Sequence, residues 1–79
     1  MNKAWLRCEV EQGIFSREVV VTVKTASGES AAYFVPRESV SGNQVEVQVE
    51  ERDNQHLAIL PTDNPYAAIP VSEEDLTYP

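Results

Sequence analysis

The chain has one cysteine, one histidine and three glycines, and no apolar run approaches the roughly 20 residues that a membrane-spanning helix requires. Each shortage excludes something. With Cys8 alone, neither an internal disulfide nor a cysteine-based zinc site can form within one chain. Small secreted domains usually depend on such staples, so their absence favours a reducing compartment. Met1-Asn2-Lys3 leads into a strand-like pattern rather than an apolar signal core, and the expected location is the cytoplasm. Gly13, Gly28 and Gly42 stand singly, so no glycine-rich phosphate loop is present, and neither G-x-S-x-G nor H-E-x-x-H occurs.

Basic residues are also few, and they are unevenly placed. Residues 1–40 balance Lys3, Arg7, Arg17, Lys24 and Arg37 against five glutamates, whereas residues 41–79 set Arg52 alone against eight carboxylates. The whole net charge of −7 therefore resides in the second half. Such a half repels a polyanion, because affinity for nucleic acid rests on cationic neutralisation of phosphates. Direct nucleic-acid binding is not expected.

What is present is alternation. Ala4, Leu6, Cys8 and Val10 share one side of a segment reaching Glu11, opposite Trp5, Arg7 and Glu9. Val19, Val21 and Val23 repeat the pattern over Glu18 to Thr25, and β-branched residues suit a pleated surface. Ala26-Ser27-Gly28-Glu29 joins that run to Ser30–Val35 as a hairpin. Pro36 ends the run, and a single turn or 3-10 segment is expected to follow before a second turn at Gly42-Asn43. Gln44 to Glu51, with Val45, Val47 and Val49 inward, forms a second hairpin with His56–Leu60 through the turn formers at 52–55. Ala67–Val71 reads as a last strand confined to an edge by Pro70. At Ser72-Glu73-Glu74-Asp75 a short helical turn is expected, capped by Ser72 and closed by Leu76 on the core, with residues 77–79 frayed.

These features predict an all-β single domain over 1–79: a small antiparallel barrel of five to six short strands with one helical turn near the C-terminus. The strand lengths resemble those of an SH3-like barrel, with an OB-like barrel as the second architecture. That resemblance is one of architecture and implies no activity.

The candidate chemistry is sparse. Cys8 and His56 are the only residues able to form a thiol–imidazole dyad, but Cys8 falls on the apolar face, where an unactivated cysteine packs as a small hydrophobe. The carboxylates of Glu50-Glu51-Asp53 and Glu73-Glu74-Asp75 lack calcium-loop spacing and read as solvated faces. No catalytic residue, metal site or cofactor is expected. Trp5 lies opposite the apolar face beside Arg7, with Tyr33 placed on another strand and Tyr66 in a Pro-rich loop; aromatic residues with arginine are what interface hot spots are made of. The sequence thus points to a non-catalytic interaction or accessory domain that contacts a protein, one with a basic surface included, through Trp5, Arg7, Tyr33 and Tyr66. The alternatives are an acidic inhibitor that mimics nucleic acid and a small-ligand-binding barrel.

Overall fold

Hydrophobic alternation becomes two antiparallel ladders around one core. The structure, a computed structural model, describes residues 2–12, 17–62 and 67–79. Gly13, expected to break the first strand pattern, and Tyr66 lie outside the described residues. In chain order the strands are β1 (Asn2–Arg7), β2 (Glu9–Gln12), β3 (Glu18–Lys24), β4 (Ser30–Pro36), β5 (Val40–Ser41), β6 (Gln44–Arg52), β7 (Gln55–Leu60), β8 (Ala67–Val71) and β9 (Leu76–Thr77). One sheet runs β8-β7-β6-β1-β9 with β5 attached to β6; the other runs β2-β3-β4. Among the described residues there is no helix beyond two 3-10 turns, at Arg37–Ser39 and Glu73–Asp75.

The strand count exceeds the expected five to six for physical reasons. The segment read as one strand from Ala4 to Glu11 leaves the first sheet at Cys8, whose N–H donates to the Asn43 carbonyl at 2.8 Å, and then enters the second sheet as β2. The side-chain alternation continues through this point, so Leu6 and Cys8 both face the core while the backbone changes ladder. The two-residue strands β5 and β9 follow directly on the 3-10 turns. Among the described residues the two sheets do not join into a closed barrel.

Both hairpins form where expected. The β6–β7 turn is two residues long, with Arg52 opposite Gln55 and positive φ at Asp53 (52°) and Asn54 (65°). That is the backbone of a type I′ turn, and Asp and Asn tolerate it because their short polar side chains lower the left-handed penalty. At the β5–β6 turn Gly42 takes the positive φ, 60°. Ser72 departs from expectation: its side chain makes no capping bond, and its carbonyl instead accepts the Asp75 N–H at 3.0 Å. Thr77, expected in a frayed tail, pairs with Trp5 in β9.

The core is valine-rich. Val19, Val21, Val23 and Val35 from the smaller sheet meet Val45, Val47 and Val49 from the larger, together with Leu6, Leu60 and Ala58. The radius of gyration is 11.6 Å, which matches the roughly 12 Å expected of a folded chain this long.

Candidate functional surface

The outward faces of the two sheets differ in character. On the larger sheet, Trp5 is half-buried and stands opposite Glu46 on one side and Thr77 on the other. Its neighbours along β1 are engaged with other side chains: Lys3 Nζ meets Glu46 Oε1 at 2.8 Å, and Arg7 Nη1 lies 3.7 Å from Asp75 Oδ1. Trp5 and Arg7 therefore share a face, as expected, within a surface laced by ion pairs. Tyr33 is elsewhere. It sits on the inward side of β4, half-buried against the core cluster, and so does not join Trp5. Tyr66, the fourth residue expected at the contact, lies outside the described residues.

On the smaller sheet, register builds an apolar strip. Glu11 stands opposite Val20 and Val20 opposite Phe34; the adjacent row reads Glu9, Thr22, Ala32. Phe34 is 49% exposed, the most exposed large hydrophobic side chain among the described residues. The sequence reading of the contact surface does not include it, yet the signal is local: with Tyr33 and Val35 facing inward, strand alternation puts Phe34 outward.

Phe34 also lies on a sheet edge. The Arg37 N–H donates to the Arg17 carbonyl at 2.8 Å and the Thr25 N–H to the Glu29 carbonyl at 2.7 Å, which continues the β3–β4 ladder at both ends. Antiparallel bonding alternates, so Ala31, Tyr33 and Val35 bond to β3 while the backbone groups of Ser30, Ala32 and Phe34 point away from it. Among the described residues no backbone group pairs with them on that side.

Edges are normally guarded by charge, proline or brevity. β2 carries Glu9 and Glu11, and β9 has two residues. β8 contains Pro70, whose carbonyl is occupied by the Ala26 N–H. β4 has no charged residue from Ser30 to Pro36, and its proline stands only at the end.

The groups considered for catalysis are dispersed. Cys8 is buried at the β1–β2 bend, and burial pushes its thiol up to about 11. A thiol so shifted is protonated near neutral pH and is a poor nucleophile. His56 lies on β7, with Nε2 3.4 Å from Glu51 Oε1 across the hairpin. Glu50 is bonded to Arg52. No group of three metal-ligating side chains is found among the described residues. An open cleft of about 930 Å³ lies beside the bend, lined by side chains of mixed charge that include Arg7, Lys24, Glu9, Glu74 and Asp75. No helix among the described residues is long and apolar enough to cross a membrane.

The chain matches no family model, no characterised protein and no solved structure.

Proposed function

We propose that this protein is a non-catalytic protein-interaction domain, and that its contact surface is the edge strand β4 with the outward strip around Phe34. One observation carries the reading: a large aromatic side chain, 49% exposed, on an uncharged strand whose outer backbone groups have no partner among the described residues. Both features favour a protein ligand. Strand addition draws affinity from main-chain bonds, and an adjacent aromatic supplies the anchor. The contact surface of this reading differs from the one expected around Trp5, whose flanking charges already have partners. The architectural part of the proposal is a partly open relative of the SH3-like barrel. Its support is the strand shared between the sheets at Cys8 and the Ala26–Pro70 bond that links the smaller sheet's hairpin to the edge of the larger.

The mimicry reading has less support. Three of the eight carboxylates of the second half have a lysine or arginine partner, Glu46 with Lys3, Glu50 with Arg52 and Asp75 with Arg7, which interrupts the rows of unpaired charge that mimicry of a duplex needs.

The test is affinity capture with the tagged wild type and with Phe34→Lys, each shown to be folded by circular dichroism. A protein retained by the wild type and lost with the variant is the expected result. Identical retention by both would overturn the reading.

A further inference from the structure

The outer edge of β4, unpaired among the described residues, is complementary to itself. We propose that β4 pairs antiparallel with β4 of a second copy, centred on Tyr33, to give a continuous six-stranded sheet and a two-fold dimer. The inference rests on the interaction reading above and names the partner.

The register follows from the donors available. Ala32 and Phe34 present both N–H and C=O to the free side, whereas Pro36 can offer only its carbonyl. Centring on Tyr33 sets Ala32 opposite Phe34 of the second copy, so each pair exchanges two N–H···O bonds, and it sets Ser30 opposite Pro36, where the Ser30 N–H meets a carbonyl and the missing proline donor leaves only the Ser30 carbonyl, at the exposed end of the strand, to solvent. Shifting the centre to Phe34 would place Ala32 opposite Pro36 and move the carbonyl without a donor from the strand end to the interior of the pairing.

Side chains agree with the same register. Phe34 of one copy lies beside Ala32 of the other, a large ring next to a methyl group. Because Glu11, Val20 and Phe34 form one row and Glu9, Thr22 and Ala32 the other, pairing joins them end to end. The apolar strip then falls in the middle of the joined sheet and the carboxylates at its ends. One step beyond the strand termini, Glu29 of one copy comes opposite Arg37 of the other, whose guanidinium also donates to Gln12 Oε1 of its own chain at 2.8 Å, so this opposition of unlike charges is secondary to the backbone pairing. Such a pair matters for a chain with a net charge of −7, whose copies repel one another overall. The two-fold axis consumes both free edges, so growth stops at two.

Sedimentation velocity and light scattering from micromolar to near-millimolar concentration test this directly. The expected result is a reversible shift from the 8.8 kDa chain to twice that mass. Phe34→Lys should raise the dissociation constant at least about tenfold, as loss of a central aromatic anchor does. Ala32→Pro, which removes a donor on the free side while keeping the β3 ladder, should do the same, and Gln48→Lys on the other sheet should leave it unchanged. Register has its own readout. Tyr33→Cys should oxidise to a disulfide-linked dimer, since residues facing across such a pair stand about 4.5 Å apart at Cα. Ala31→Cys should not, since its counterpart is Val35. A wild type that stays monomeric throughout, or a dimer indifferent to both the Phe34 and Ala32 variants, would overturn self-pairing. If a monomeric wild type still retains a different protein through Phe34, the interaction reading survives without it; if no Phe34-dependent partner exists either, both fall.

Discussion

The backbone N–H of Ala26, in the β3–β4 turn, donates to the carbonyl of Pro70 on β8 at 2.9 Å. The turn of one sheet is thus fastened to the edge strand of the other, at the side where β7 offers Pro70 no bond. Pro70 has no N–H, and the carbonyl that would otherwise face solvent is the acceptor. Hydrogen exchange should show the Ala26 amide protected well above that of Ser27, although both lie in the same turn. Equal, rapid exchange at the two positions would mean the sheets are not tied there.

Leu6 is fully buried and stands opposite Val45 on one side and Leu76 on the other. Leu6→Ala removes packing at the strand that both other elements share, and such truncations cost about 2–5 kcal/mol. A domain of this size has only a few kcal/mol to lose. Urea denaturation should find the variant largely unfolded in buffer; a loss below about 1 kcal/mol would mean that this part of the core is not tightly packed.

The β6–β7 turn can be improved. Asn54 has φ 65°, a conformation that glycine adopts without a Cβ penalty and that the Asp-Gly pair supplies in type I′ turns. Asn54→Gly should therefore leave stability unchanged or raise it by a few tenths of a kcal/mol, whereas Asn54→Val should lower it by about 1–2 kcal/mol. Thermal melts of the two variants, moving in opposite directions from one another, are the check.

Much of this arrangement is legible in residue patterns, and the reason for each gap is topological. Alternation identifies Val45, Val47 and Val49 as one face because side-chain period is a local property. Turn chemistry at Gly42-Asn43 and Asp53-Asn54 is equally local. The bend at Cys8 is not, since Leu6, Cys8 and Val10 keep alternating across it and only the switch of pairing from β6 before Cys8 to β3 after it marks the change of sheet. Phe34 illustrates the same limit for the site. Its outward direction follows from Tyr33 and Val35, but whether β4 lies at an edge depends on which strands pair, and that is decided by residues far away in the chain.

Cys8 gives the fold a pH dependence in the alkaline range. Burial raises its thiol from 9.0 to about 11, so between those values the unfolded chain releases a proton that the folded chain retains. The folded state then binds more protons, and stability falls with rising pH. The contribution is fully present below about pH 9 and is lost as pH approaches 11. Urea midpoints measured across this range should fall less steeply for Cys8→Ala than for the wild type, and iodoacetamide should label the folded wild type far more slowly than the unfolded chain. Equal labelling rates would place the thiol at the surface.

Trp5 is the only tryptophan, and it lies on the outward face of the sheet that does not contain Phe34. It is therefore a reporter of which face a partner uses. Pairing along β4 should leave the Trp5 emission maximum and its quenching by iodide unchanged, because the contact forms beyond the core from it. A partner seated over Trp5 and Arg7 should shift the emission to shorter wavelength and shield it from iodide. Titrating the monomer to its associated state while recording both signals separates the two surfaces; a blue shift that tracks association would transfer the contact to the Trp5 face and leave β4 without a role.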